Sequence, residues 1–434
     1  MNVQAGHPSS VRKLNASLKK RLGHPSFHAR KRVPVIIRFH RRIEKKRLRA
    51  LHEYVFPHKI AVRHRLHLLQ AVSARVSRAC LRRICGCREV RRVYLDGVKK
   101  TSLSVATPAI GAAAVRSRLG LTGKGIRIAI LDTGVFPHPD LTRPVNRIVA
   151  FKDFVRNKKR PYDDNGHGTH VAGDAAGNGQ ASRGTYRGPA PEVGIVAVKV
   201  LGKTGTGNDS TIIKGIEWCV RNRKRLGLRI LTLSLGGRAS SRWQDDPLCL
   251  SVENAVKAGL VVSVAAGNSG PRKKTIESPG ITPSALTIGA ADDRRTVTQK
   301  DDVIAWYSSR GPTGSGAKKP DLAAPGETIT SLRAPGSALD KQYPHLRVGK
   351  AYFTLSGTSM SAPLAAGAAA QLLQRKPTLS PDQVKRLLKR EAFRIKEGAN
   401  AAGSGEINLR FLIPSKKPAR RRAVGRRGRS YRKR

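Results

Sequence analysis

Residues 165–173 read NGHGTHVAG, with two histidines, His167 and His170, three positions apart and a glycine on either side of the first. Such a pair could ligate a metal, could supply one catalytic base and a structural neighbour, or could be two core histidines. A metal pair of this kind needs a third ligand, and in HExxH motifs it is accompanied by a glutamate that acts as general base; this pair lacks both. Other reactive types recur in similarly tight settings: Asp132 in ILDTG, Ser234 in SLGG, Asn268 in AAGN and Ser359 in GTSMSAP. A serine hydroxyl is a weak nucleophile until a base removes its proton. The base needs a carboxylate to fix its tautomer, and the oxyanion that forms needs a preorganised donor. Carboxylate, imidazole, hydroxyl and amide are the parts of an acyl-transfer site.

These residues must be brought together by the elements that carry them. Runs 126–134, 193–201, 229–237, 259–268 and 285–291 are near-continuous in Val, Ile, Leu and Ala. That pattern suits strands buried on both faces of a parallel sheet. Helical stretches at 170–177, 208–225 and 246–259 lie among them, and two more follow at 358–376 and 380–392, the last opened by Ser380, Pro381 and Gln383 as a capping box. The alternation predicts an α/β fold with a doubly wound, mostly parallel sheet. In such sheets ligands bind beyond the carboxyl ends of the strands. Asp132, Ser234 and Asn268 stand at those ends, while His167 and Ser359 open helices, so all five are expected on one edge. His167 is then the base, and His170, one turn further on, a buried and hydrogen-bonded neighbour.

The 434 residues carry a net charge of +56. The excess is concentrated at the ends: residues 1–100 hold 27 Lys/Arg against 4 Asp/Glu, and residues 415–434 hold 11 and none. Such a field attracts polyanions without sequence selectivity, but no nucleic-acid-binding motif accompanies it. Four regions are expected: a basic flexible segment at 1–32, a small α+β domain at 33–105, the α/β domain at 120–410 and a basic disordered tail at 415–434. In the second region, strands at 33–39 and 89–95 flank a helix-compatible stretch at 60–84. Eight of the twelve histidines fall in residues 1–100, a pattern that suits either a solvated basic surface or a pH-sensitive element. Cys80, Cys85, Cys87, Cys219 and Cys249 show no disulfide or metal framework. Free thiols and the lack of a signal peptide point to the cytoplasm, leaving secretion open. No stretch is apolar enough to span a membrane.

The blocks ILDTGV, NGHGTHVAG, SLGG, AAGNSG and GTSMSAP, in this order, resemble those of the subtilisin-like serine proteases. Connecting stretches such as YRGPAPEVGIVAVKVL, SSRGPT and KPDLAAPG are closest to the AprX-like bacterial subtilases. The resemblance covers about residues 120–410 and implies a serine endopeptidase acting through an acyl-enzyme. It makes Asp132, His167 and Ser359 the catalytic residues and Asn268 the oxyanion donor. Ser234, Leu235 and Gly236 would pair with the substrate backbone, opposite Thr206 and Gly207. Ala265, Ala266 and Gly267 would line the primary specificity pocket, whose small uncharged walls suggest room for an apolar side chain. Residues 33–105 resemble the family's N-terminal propeptide, which implies self-processing between Tyr94 and about Gly120 and a propeptide that inhibits its own enzyme. Protein or peptide substrates are implied, and no cofactor is required for the chemistry. Calcium is doubtful, because the segment 176–188 lacks a carboxylate set and only Asp140 matches a family ligand. Two alternatives stand beside this reading: a polyanion- or nucleic-acid-binding basic protein, and a catalytically inactive subtilase scaffold.

Overall fold

The structure is a computed structural model that describes residues 32–41, 44–58, 60, 62–66, 70–95 and 103–414, with Lys13, Leu14, Leu18 and Leu22 ahead of them. Most of the basic segment 1–32 and the whole tail 415–434 lie outside the described residues. The chain divides into two compact units, Met1–Lys100 and Thr101–Arg434.

The first unit runs β1 (Val33–Phe39), α1 (Lys45–Val55), β2 (Val62–Leu66), β3 (Ala71–Val76), α2 (Arg78–Gly86) and β4 (Val90–Leu95). The strands pair antiparallel in the order β2-β3-β1-β4. Val33, Val35, Ile37 and Phe39 alternate inward along β1 and pack with Leu51, Val55, Leu81 and Ile84 from the two helices. The helix expected over 60–84 is instead β2, β3 and then α2. Its mixture of Arg, Val and Leu fits either period, and the buried run Ala71–Ala74 is resolved as a strand by pairing with β1. Ser77 then starts α2 by accepting the Cys80 N–H. Helix α1 has no counterpart in the expected order.

The second unit opens with α3 (Leu103–Ala109) and α4 (Ala112–Leu119), whose Ala106 and Val115 join the main core with Ile110 between them. Then follow β5 (Arg127–Asp132), α5 (Pro139–Thr142), β6 (Ile148–Asp153), α6 (His167–Ala176), β7 (Gly194–Lys199), α7 (Asp209–Asn222), β8 (Leu228–Leu233), α8 (Pro247–Lys257), β9 (Val261–Ala265) and β10 (Leu286–Asp292). The chain continues through β11 (Val303–Ile304), β12 (Leu322–Pro325), β13 (Ile329–Leu332), α9 (Ala338–Gln342), β14 (Arg347–Val348), β15 (Tyr352–Leu355), α10 (Thr358–Arg375) and α11 (Pro381–Arg390). The sheet order is β11-β10-β9-β8-β5-β7-β6, with β12 on β10, and every pairing but β10–β11 is parallel. This is the expected doubly wound α/β sheet. Order reversals around β5 place the ends of β5, β7 and β8 side by side, which opens a crevice there. One face is covered by α6 and the alanine-rich α10, the other by α7 and α8. The capping box of α11 forms as read from the sequence. The half-exposed edge strand β6 and the small sheet β13-β15-β14 were not anticipated.

Candidate functional site

Asp132 is the last residue of β5 and is fully buried. His167 is the first residue of α6, preceded by Gly166 in the left-handed region at φ 106°. Gly168 lets the two meet: a Cβ there would lie 2.2 Å from the carbonyl oxygen of Gly134 and 3.0 Å from the Asp132 Cβ. The helix start therefore slides against the strand end, and His167 Nδ1 comes to 2.8 Å from Asp132 Oδ1. The same oxygen accepts the Thr133 N–H at 2.7 Å. A carboxylate facing Nδ1 holds the ring proton there and leaves Nε2 as the base. Burial, the largest single influence, pulls the His167 pKa down, but the charge and hydrogen bond of Asp132, together with the charges of Asp163 and Asp174, outweigh it and hold the imidazole above its ordinary value.

Asp163 builds the socket for this histidine, although its role was not read from the sequence. It is buried, and its two oxygens accept from the N–H groups of Asn165, Gly166 and Thr169 and from the hydroxyls of Thr133 and Thr169. It thereby satisfies the free end of α6. The loop before it is braced from α9, where Ala338 and Leu339 donate to the carbonyls of Asp164 and Asn165. Asp340 fixes α9 through Arg333, Arg347 and the Gly336 N–H, and these donors, Arg333 foremost, hold its carboxyl far below the usual carboxylate range. Only the turn residues DDNG hinted at such a capping arrangement.

Ser359 is the second residue of α10, half-buried, so its own N–H is among the unpaired donors of the helix start. Its hydroxyl donates to the carbonyl of Ser234, just past β8, at 3.1 Å. The Asn268 side-chain oxygen accepts the Thr358 N–H at 2.9 Å and the Thr358 hydroxyl at 3.1 Å. Its amide NH2 is thus the end left for a ligand, next to the Ser359 N–H. Beside this edge lies a cavity of about 510 Å³ whose walls include His167, Thr206, Gly207, Ser234, Leu235 and Gly236. The strand ends deliver the anticipated residues to one edge. Of the residues expected to line the primary specificity pocket, Ala265 and Ala266 are buried, and the carboxylate of Glu277 lies against Gly267.

His170 points elsewhere. It is fully buried, with Nδ1 2.9 Å from Asp174 and Nε2 3.1 Å from the carbonyl oxygens of both Ile329 and Phe353. Two carbonyls can only accept, so Nε2 carries a proton, and a second proton is shared between Nδ1 and Asp174. Burial raises the Asp174 carboxyl. The two histidines therefore serve different partners and do not converge on a metal. His170→Ala is expected to cost about 3–5 kcal/mol, because it strands a buried carboxyl and two carbonyls. Urea unfolding of His170→Ala in a Ser359→Ala background, where self-digestion is blocked, measures this. A loss below about 1 kcal/mol would contradict it.

Asp140, the one residue that matches a family calcium ligand, is engaged by protein donors. Its carboxylate accepts from the N–H groups of Gly179 and Ala181 and from the Tyr352 hydroxyl at 2.8–3.1 Å. Among the described residues no cluster of three or more His, Cys, Asp or Glu could hold a metal ion. The five cysteines are buried and free, and burial lifts the Cys85 and Cys249 thiols to about 11.

Comparison with known proteins bears directly on this arrangement. Residues 123–420 match the subtilase family. The chain belongs to that family. It is 45% identical over 394 residues to serine protease AprX of Bacillus subtilis, covering 89% of this chain and 88% of that protein. The match is longer than the stretch after Lys100, so it reaches into the first unit. Subtilisin Savinase of Lederbergia lenta is 36% identical over 289 residues, 67% of this chain and 91% of that protein. Among solved structures, the S41 psychrophilic protease matches with a TM-score of 0.56 and 30% identity, covering 69% of this chain and 97% of that one. Sphericase matches with a TM-score of 0.56 and 29% identity, over 71% and 100%.

Proposed function

We propose that this subtilase hydrolyses peptide bonds through an acyl-enzyme on Ser359, a reading carried by the 2.8 Å contact of His167 with Asp132 on the sheet edge that also holds Ser359 and Asn268. The chain is a subtilisin-like serine endopeptidase acting on protein substrates. Its Ser359 hydroxyl swings from the Ser234 carbonyl toward His167 Nε2, which takes the proton as the oxygen attacks the scissile carbonyl. The Asn268 amide and the Ser359 N–H then hold the oxyanion. His167, stabilised as an imidazolium by Asp132, returns the proton to the leaving amine, and water repeats the sequence on the ester. Release of the Ser234 carbonyl frees it to pair with a substrate strand along Ser234–Gly236, with Thr206 and Gly207 opposite. The chemistry needs no cofactor.

The first unit serves, in this reading, as a propeptide that folds with the enzyme, is cut by it and then inhibits it. Its four-stranded α+β build and the extent of the AprX match support this. The buried free thiols favour a reducing, cytoplasmic setting. The charge of +56 favours non-specific adhesion to polyanions alongside catalysis. A fluorophosphonate probe tests the central claim. Wild type is expected to be labelled at Ser359 and to shed its N-terminal region on mass spectrometry, whereas Ser359→Ala does neither. Equal labelling of both proteins would sink the assignment.

A further inference from the structure

Glu277 lies in the loop between β9 and β10, and its backbone N–H donates to the Ala266 carbonyl at 2.9 Å. This bond lays the side chain across Gly267. A Cβ on Gly267 would stand 2.5 Å from Glu277 Cδ, and one on Gly236 would stand 2.6 Å from Oε2. The carboxylate therefore sits between two segments, and both are tied to the turn that carries Ser359. Ser234 accepts the Ser359 hydroxyl, and the Gly267 N–H donates to Thr358 Oγ1 at 3.2 Å. The walls of the cavity described above include Gly236, against which the Glu277 carboxylate lies, and Ser278, the next residue in the chain.

The bonding of this carboxylate is one-sided. Oε1 accepts the Ser269 hydroxyl at 2.7 Å and the Asn268 N–H at 3.3 Å. Both donors are neutral. No ion pair among the described residues involves Glu277. In a chain with three times as many bases as acids, a half-buried carboxylate without a basic partner is conspicuous. A half-buried carboxylate of this kind is stabilised by a cation brought to it.

We propose that Glu277 is a specificity-determining residue that selects substrates with lysine or arginine at the position whose carbonyl is attacked. The proposal rests on Ser359 being the nucleophile. With the substrate backbone paired along Ser234–Gly236, as that reading has it, a side chain leaving the backbone at the attacked carbonyl would pass toward Ala265–Gly267, where the Glu277 carboxylate lies against Gly236 and Gly267. The overall charge of +56 opposes the approach of a cationic peptide, but exposed charges are screened beyond about 8 Å in physiological salt. The contact with Glu277 is made well inside that distance.

Matched peptides differing only at that position test the proposal. Wild type is expected to cleave after Lys or Arg about tenfold to a hundredfold better than after Leu, the range of one hydrogen bond to a charged group. Glu277→Gln keeps the size and the Oε1 acceptor, and is expected to bring the Lys-to-Leu ratio in kcat/KM to about one. A carboxylate that merely tethered the Asn268 loop would slow all substrates alike and leave the ratio unmoved. A wild-type preference for Ala, with the carboxylate as a plug, would equally overturn the idea. Calorimetry with benzamidine on Ser359→Ala needs no turnover. Binding stronger than that of neutral benzamide, and lost in Glu277→Gln, supports the proposal; equal binding of the two overturns it. If no peptide is cut, the Ser359 assignment falls, while calorimetry still decides on Glu277.

Discussion

Ser359→Ala is expected to lower peptide hydrolysis about a millionfold, His167→Ala by nearly as much, and the double variant no further than either alone. The two side chains act in one step, the transfer of the hydroxyl proton to Nε2 as the oxygen attacks. Removing either removes the whole step, so a second deletion finds nothing left to remove. About 10³–10⁴-fold acceleration over water should survive in all three proteins, because the Asn268 amide and the Ser359 N–H do not depend on the hydroxyl or the imidazole. Folding should be little affected in Ser359→Ala. The hydroxyl is half-buried and makes one hydrogen bond, to the Ser234 carbonyl, which lies at the cavity wall. Purified variants with matching thermal unfolding curves, assayed on one peptide at long incubation, give the comparison. Losses that multiply, so that the double variant falls far below the singles, would show that the residues act independently.

The residues at this edge were readable because each combines a rare chemistry with a positional signal. Asp132 closes a continuous apolar run, while Ser359 and His167 follow glycines that open helices. What escaped reading lacks such a signal. Glu277 stands nine residues after Asn268 in an irregular loop, and only tertiary folding lays it between Gly236 and Gly267. Asp163 is one of two adjacent aspartates in a turn, and nothing in DDNG tells which of them turns inward to cap α6. The stretch 60–84 departs from the helix its pattern suggests for a related reason. Its apolar residues satisfy a helical and a strand period at once, and the choice is made by pairing with the distant strand β1. Local pattern decided wherever burial was two-sided and continuous, as in β5 and β9. Contacts distant in sequence decided elsewhere.

Asp132→Asn should cost about 10⁴-fold in kcat and move the acid limb of the pH profile. The loss follows from the two orientations open to the amide. With its oxygen in the place of Oδ1, it keeps the Thr133 and His167 bonds but buries an NH2 group where Asp132 Oδ2 has no partner. Turned round, it sets NH2 against the Thr133 N–H and forces the proton of His167 onto Nε2, where a base is needed. Both orientations also remove the Asp132 charge, the largest of the influences that raise the His167 pKa against burial. Wild-type kcat/KM should therefore fall as pH drops through a value above 6.5, the ordinary histidine value, and the residual activity of Asp132→Asn should persist to lower pH. Stability runs the other way. A histidine raised in the folded state contributes stability that is fully present below its unfolded pKa and is lost as pH rises through the folded one. With Ser359→Ala in both proteins, the unfolding temperature of the one that keeps Asp132 should thus lead that of the Asp132→Asn variant most in acid, with the gap narrowing as pH rises. An acid limb at the same pH in both proteins would mean that Asp132 orients His167 without setting its charge. The pH range that frees Nε2 for catalysis is therefore the range in which the pair ceases to stabilise the fold.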